Sequence, residues 1–175
     1  MGQEIERKFL LLKPIPQSVF GRVSAVRVCS IWQGYLPVTV GELRIRSAVF
    51  KNYPDLDTCT LTSKNGEGLI REEMEVKIPR AIFDQMEPLV RDSFLKKKRY
   101  SVPFGKYLLE LDKYQDALGG LYIMECEFSS VEDAKEFVLP VWAASAVDIT
   151  EDNKFKNKNL ARKNITTELL LGRKY

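Results

Sequence analysis

The segment Gln3-Glu4-Ile5-Glu6-Arg7-Lys8-Phe9-Leu10 alternates charged and apolar side chains with the period of a β-strand. On such a strand Glu4, Glu6 and Lys8 share one face, and Ile5 lies on the other. Like charges two residues apart are separated by about 6 to 7 Å, and at an effective dielectric constant of about 20 they repel by roughly 2 to 3 kcal/mol. The segment therefore predicts a strand whose charged face needs a counter-charge or a ligand.

Five further strand-like segments carry a like-charge pair with this spacing, and the sign changes between segments. The pairs are Arg44/Arg46, Glu73/Glu75, Lys97/Arg99, Glu110/Asp112 and Glu125/Glu127. Exposed sheets tend to avoid adjacent like charges, whereas a closed barrel with inward charged faces brings opposite signs together. The pattern predicts a polar interior in which acidic pairs suit divalent cations and basic pairs suit phosphate.

The fold predicted for residues 1–175 is one α+β domain, a closed eight-stranded antiparallel β-barrel with helices packed outside. The alternative is an open sheet with one solvated face. Strands are predicted at Gln3–Leu12, Ile31–Pro37, Gly41–Phe50, Thr58–Lys64, Leu69–Ile78, Phe94–Val102, Lys106–Tyr114 and Leu121–Phe128. Helices are predicted at Pro16–Val28, Arg80–Val90 and Val131–Val138, and as a C-terminal helix over about 152–171.

Composition excludes several chemistries. The chain has no histidine, which excludes histidine general bases, Ser-His-Asp triads and histidine-ligated zinc. Its three cysteines are far apart, so neither a disulfide framework nor a cysteine zinc site is indicated. No phosphate-binding loop motif is present, and the turn at Gly66 and Gly68 is predicted to close a hairpin.

Charge and hydropathy also limit the partners. A formal net charge of +3 does not indicate a specific nucleic-acid partner. The charged N-terminus and the lack of a long apolar run predict a cytoplasmic protein without a membrane partner. The oligomeric state is left open, with a homodimer as one option.

A series of motifs in chain order resembles the CYTH superfamily, the triphosphate tunnel metalloenzymes. The resemblance spans nearly the whole chain and is closest to small bacterial inorganic triphosphatases. It opens with E-x-E-x-K at Glu4–Lys8 and continues through Gln33–Leu36, Arg44–Arg46, Leu61–Lys64, Arg71–Glu75, Lys97–Tyr100, Leu109–Asp112, Glu125–Phe128, Ile149–Asp152 and Phe155–Ala161.

The resemblance implies a tunnel that binds a triphosphate together with Mg²⁺ or Mn²⁺. The metal ligands it implies are Glu4, Glu6, Glu125, Glu127 and Asp112, with supporting carboxylates at Glu73, Glu75 and Glu110. The phosphate ligands it implies are Lys8, Arg44, Arg46, Lys64, Arg71, Lys97 and Arg99. The catalytic set it implies is Glu4, Glu6, Lys8 and Tyr35, in which Glu4 orients the attacking water and Tyr35 contacts a phosphate oxygen.

The activity expected from this resemblance is metal-dependent hydrolysis of inorganic triphosphate by an activated water, with nucleoside triphosphates as weaker substrates. Three alternatives remain. They are a class IV adenylate cyclase that forms cyclic AMP from ATP, a thiamine triphosphatase, and a non-catalytic module that binds polyphosphate or nucleotide.

Overall fold

A computed structural model describes residues 2–21, 27–66 and 68–172. Eight strands form one antiparallel sheet in the order β5-β4-β3-β2-β6-β7-β8-β1, and β1 also pairs with β5, so the sheet closes on itself. This confirms the predicted barrel. The strands are β1 Gly2–Leu10, β2 Arg27–Leu36, β3 Glu42–Phe50, β4 Thr58–Asn65, β5 Ile70–Ile78, β6 Phe94–Phe104, β7 Tyr107–Tyr114 and β8 Tyr122–Glu127.

The register of the strands brings opposite charges together inside the barrel. Lys64 lies opposite Glu73, and Arg99 lies opposite Asp112. Because directly opposed residues share a face of the sheet, each basic side chain is placed next to an acidic one. The charged faces predicted from alternation therefore point inward. At these two positions opposite charges compensate one another across strand boundaries, whereas Arg46 lies between Gln33 and Thr60, and Glu110 lies opposite Glu125.

Two apolar clusters cover the outer face of the barrel. Helix α2, Arg80–Met86, and the following 3-10 turn pack Phe83 and Val90 against Ile45 of β3. Helix α3, Val131–Glu136, belongs to a second cluster that includes Phe9 and Met124. Both helices lie where amphipathic spacing predicted them, because only one face of each is apolar.

One end of the barrel interior is filled by apolar side chains. Leu95, Tyr114 and Ile123 lie on the inward face of their strands and are almost completely buried. Phe155 and Leu160 from the C-terminal segment complete this cluster. We call it the end layer, and it separates the charged interior from solvent at that end.

The C-terminal segment differs from the single helix predicted over 152–171. It forms a 3-10 turn at Asn153–Phe155, helix α4 at Asn157–Leu160 and helix α5 at Thr167–Leu171. The side chain of Asp152 caps the N-terminus of the 3-10 turn, and that of Thr166 caps the N-terminus of α5. Between them, Asn164 has a φ of +74°, which an α-helix cannot contain. Local capping therefore divides a segment whose apolar spacing is helical.

The helix predicted over Pro16–Val28 is also shorter. Helix α1 covers Gln17–Gly21, residues 22–26 lie outside the described residues, and Arg27 already begins β2. A two-residue strand that alternation did not predict, β9 at Val147–Asp148, pairs with the end of β1. In the described part of the chain, no helix combines the length and apolarity needed to span a bilayer.

Candidate functional site

The barrel encloses a charged cavity of about 170 Å³. Fourteen of the residues proposed for the site from the sequence line it, and they come from all eight strands of the closed barrel. They are Glu4, Glu6, Lys8, Tyr35, Arg44, Arg46, Lys64, Arg71, Glu73, Glu75, Arg99, Glu110, Glu125 and Glu127.

One wall of the cavity is acidic, and basic side chains bind directly to it. The Lys64 ammonium donates to both oxygens of Glu4, at 2.7 and 2.8 Å. The Lys8 ammonium donates to Oε1 of Glu125 at 2.5 Å and lies 3.4 Å from Oε2 of Glu6. The cations proposed to hold phosphate thus neutralise the carboxylates proposed to hold metal.

This neutralisation is incomplete at two carboxyl groups. Burial, with the nearby charge of Glu125, raises the pKa of Glu6 to about 7 despite the presence of Lys8. Burial and the charge of Glu110 also raise the pKa of Glu127. The surroundings of both groups therefore favour the neutral carboxyl over the carboxylate, and a bound cation would reverse that preference.

The opposite wall is basic, and its three arginines differ in their partners. Arg99 donates from Nε to Asp112 at 2.7 Å and also binds Glu110 and Glu125. Arg44 donates to Thr62 at 3.0 Å and to Glu75 at 3.2 Å.

Arg46 has no such partner. Within the described part of the chain it forms no ion pair, and its buried Nε has no hydrogen-bond partner. Burial and the charges of Arg44 and Arg99 lower the pKa of Arg46 to about 10. The charge of Glu75 offsets these effects only in part, so the Arg46 guanidinium is left able to bind an anion from outside the protein.

Two residues proposed for the site do not reach the cavity. Lys97 and Asp112 are completely buried and bind each other at 2.5 Å. Asp112 also accepts from Arg99, so this pair fixes the guanidinium that does line the cavity. With no exposed surface, neither Lys97 nor Asp112 touches a ligand in this arrangement, and both act as support for Arg99.

Tyr35 lies where the cavity meets the end layer. Its hydroxyl oxygen accepts a hydrogen bond from Nε2 of Gln33 at 2.8 Å. Burial raises the pKa of Tyr35 to about 12, so the hydroxyl keeps its proton and can donate it to an oxygen in the cavity.

Several cavity residues were not proposed from the sequence. Glu42 precedes Arg44 by two residues, so strand alternation alone could have identified it. Thr150 and Lys156 come from irregular segments and Asn157 begins α4, and only the tertiary fold brings them to the cavity. Asn157 accepts a hydrogen bond from the Tyr114 hydroxyl at 2.6 Å, which ties α4 to the end layer.

The donor chemistry of the acidic wall fits Mg²⁺ or Mn²⁺, which prefer carboxylate oxygens. Among the residues that the structure describes, however, no three carboxylate, thiol or imidazole groups already converge in a metal-holding arrangement. The reason is visible in the ion pairs, since Lys8, Lys64 and Arg71 bind Glu4, Glu6 and Glu125. A bound cation would have to exchange with these side chains.

Comparisons with known proteins agree with this geometry. The chain is 36% identical over 162 residues to an inorganic triphosphatase from Nitrosomonas europaea, which covers 90% of this chain and 96% of that protein. A crystal structure of an inorganic triphosphatase matches with a TM-score of 0.62 and 31% identity, over 93% of this chain and 99% of that one. None of the known family models matches the chain.

A more distant structure shares the fold alone. It is a Hippeastrum protein described as a candidate adenylyl cyclase with dominant triphosphatase activity. It matches with a TM-score of 0.50 and 19% identity, over 75% of this chain and 82% of that one.

Proposed function

Because this chain belongs to the CYTH superfamily and, within it, to the bacterial inorganic triphosphatases, we propose that it hydrolyses a phosphoanhydride bond of inorganic triphosphate inside the barrel. The observation that carries the proposal is the cavity itself. It sets Arg46, which forms no ion pair among the described residues, beside Arg44 and Arg99 and opposite a wall of carboxylates. A linear polyanion accompanied by a cation matches that distribution of charge.

Substrate binding is proposed to begin at the basic wall. Arg46 needs no partner exchange to accept a phosphate oxygen, whereas Lys8 and Lys64 must first leave Glu125 and Glu4. Arginine forks hold phosphate oxygens bidentately, and lysines act as point charges. As the bond to the leaving phosphate breaks, these fixed cations stabilise the charge that develops on its oxygens.

The exchange of partners also prepares the acidic wall. When Lys8 and Lys64 turn toward phosphate, Glu4, Glu6 and Glu125 are released, and together with Glu127 they are the residues that would hold Mg²⁺ or Mn²⁺. A bound divalent cation would supply charge neutralisation and a more acidic water. We propose that neither ligand binds tightly alone, because each compensates the charges that the other leaves unpaired.

Glu4 is the proposed group that orients the attacking water. The charges of Lys64 and Arg71 lower the pKa of Glu4 in spite of its burial, so its carboxylate is ionised before substrate binds. Once Lys64 turns toward phosphate, Arg71, 3.2 Å from Oε2 of Glu4, keeps a positive charge beside it. Tyr35, which keeps its proton, is proposed to donate to a phosphate oxygen at the inner end of the cavity. No covalent intermediate is required.

The test is a product analysis. Purified protein is incubated with tripolyphosphate or ATP and with Mg²⁺, Mn²⁺ or a chelator. Metal-dependent release of orthophosphate from tripolyphosphate supports the proposal. Cyclic AMP and pyrophosphate from ATP would instead identify a cyclase, and tight binding without any product would identify a binding module.

Replacing Glu6 with glutamine should greatly reduce turnover without unfolding the protein. Burial already favours the neutral form of Glu6, and glutamine resembles that form. The matched control is Glu72→Gln, since Glu72 lies on the exposed outer face of β5. Turnover of Glu6→Gln equal to that of the control contradicts the assignment of Glu6 to the metal site.

A further inference from the structure

The barrel has a seam beside the E-x-E-x-K segment. On one edge of β1, residues 2–5 pair with β5 and residues 9–10 pair with β9. Between them, the edge at residues 6–8 has no continuous strand partner. The backbone there is held by single hydrogen bonds, from the Glu6 amide to the Leu69 carbonyl at 3.1 Å and from the Ile149 amide to the Lys8 carbonyl at 2.9 Å.

The remaining backbone donor at the seam is satisfied by a side chain. The Lys8 amide donates to the hydroxyl oxygen of Thr150 at 3.1 Å. That hydroxyl donates its only proton to Oδ1 of Asp148 at 2.6 Å, and the Thr150 amide donates to the same oxygen at 2.9 Å. Because a hydroxyl has one proton, its bond to Asp148 turns the lone pairs toward Lys8.

Asp148 is itself fixed from the outside of the barrel. Its Oδ2 accepts from Nε and Nη2 of Arg7, at 3.1 and 2.6 Å. Arg7 also donates from Nη1 to the carbonyl of Ala134 in α3 at 2.8 Å. These bonds lower the pKa of Asp148 although burial opposes it, so the group remains an acceptor.

We propose that the chain of hydrogen bonds through Arg7, Asp148 and Thr150, here called the relay, fixes the backbone of Lys8 at the seam. By fixing that backbone, the relay positions the Lys8 ammonium in the site. None of the three is proposed as a catalytic residue. They act through the backbone of Lys8, whose ammonium binds Glu125 and lies close to Glu6. This inference rests on the proposed triphosphatase function, and it adds a positioning role for residues at the seam of the barrel.

The position of the relay separates this role from general stabilisation. The side chains of Arg7 and Asp148 are 24% and 43% exposed, and ion pairs with such exposure contribute little to global stability. A displacement of about 1 Å at a reacting group, in contrast, can cost about 100-fold in rate. Loss of the relay should therefore reduce turnover far more than it reduces stability.

The experiment compares Thr150→Val with Thr150→Ser. Valine has the shape of threonine without its hydroxyl, and serine keeps the hydroxyl. We expect Thr150→Val to lower kcat for tripolyphosphate by about 10- to 100-fold and Thr150→Ser to stay within about twofold of the wild type. Because Thr150 also lines the cavity, Arg7→Gln is included, since Arg7 does not line it and should lower kcat in the same direction.

Hydrogen exchange at the Lys8 amide gives a readout that does not need activity. We expect faster exchange in Thr150→Val than in Thr150→Ser or the wild type, and no change in Asp84→Asn, which removes an ion pair on α2 far from the seam. Unchanged exchange in Thr150→Val overturns the relay, as does equal loss of kcat in the valine and serine variants. If wild-type protein does not hydrolyse tripolyphosphate, the proposed function fails while the exchange comparison still tests the relay.

Discussion

Replacing Arg46 with methionine should stabilise the protein in the absence of ligands and weaken its binding of triphosphate. Methionine retains most of the length of arginine but carries no charge. Arg46 lies among Arg44, Arg99 and the buried strand surface, and within the described residues it forms no ion pair. The attraction of Glu75 does not offset burial and the repulsion of Arg44 and Arg99, so the charge of Arg46 is on balance unfavourable to the fold and becomes favourable when an anion is bound.

The size of the effect follows from the pKa of Arg46. A pKa lowered from 12.5 to about 10 corresponds to about 3 kcal/mol against the charged form, at 1.36 kcal/mol per pKa unit. Because the side chain is only partly buried and loses some packing as methionine, we expect a net gain of about 1 to 2 kcal/mol in the free energy of unfolding. Most single substitutions destabilise, so even a small gain is informative.

The assay is urea unfolding with a chelator present, with and without tripolyphosphate. The control is Arg44→Met, because Arg44 donates to Glu75 and Thr62 and its loss removes both hydrogen bonds and the only ion pair of Glu75 among the described residues. We expect Arg44→Met to lower the free energy of unfolding by about 1 to 3 kcal/mol. Tripolyphosphate should stabilise Arg46→Met less than the wild type, by about 1.4 kcal/mol for each tenfold loss of affinity.

Two results would refute this reasoning. If Arg46→Met is destabilised as much as Arg44→Met, then Arg46 is a structural residue with partners inside the protein. If tripolyphosphate stabilises Arg46→Met and the wild type equally, or if Arg46→Ala leaves the KM unchanged, then Arg46 does not bind phosphate.

Two further outcomes test the end layer and the seam. Phe155→Ala should lower the free energy of unfolding by about 3 to 5 kcal/mol, because Phe155 is only 6% exposed within the end layer. A loss below about 1 kcal/mol in urea unfolding would show that the end layer is loosely packed. Asp148 has a lowered pKa in the folded protein, so its stabilising effect is present above its unfolded pKa of about 3.9 and is lost as pH falls through the folded value. The free energy of unfolding of the wild type should therefore exceed that of Asp148→Asn by up to about 1 kcal/mol at pH 6, and this difference should disappear in acid. If thermal unfolding shows a difference that does not depend on pH, the charge of Asp148 is not its source.

The sequence alone was sufficient for the barrel and for the side chains that face its interior. Alternation has a period of two and depends only on the local backbone, so Glu4 and Glu6, or Arg44 and Arg46, must share a face wherever the strand lies. The segregation of signs then favoured closure, because an open sheet would leave each like-charge pair unbalanced. Glu42 was within reach of the same argument.

Strand alternation could not predict which residues outside the strands line the cavity or where the C-terminal helices begin and end. Thr150 and Lys156 come to the cavity from irregular segments, and Asn157 comes from the start of α4. The helix predicted over 152–171 is divided by caps at Asp152 and Thr166. Apolar spacing does not distinguish one long helix from three short elements, since both bury the same residues against the barrel. Capping hydrogen bonds and a positive φ decide between them.

The position of each inward side chain along the barrel axis could be read only from the tertiary structure. Lys97 and Arg99 have the same spacing and sign as Arg44 and Arg46, yet Lys97 is sealed against Asp112 while Arg46 forms no ion pair in the described chain. The alternation of a strand determines which face a side chain takes. Where along the barrel axis that side chain lies, and which charge it meets there, is determined by strand register and by the segments that close the end, and these are properties of the folded chain as a whole.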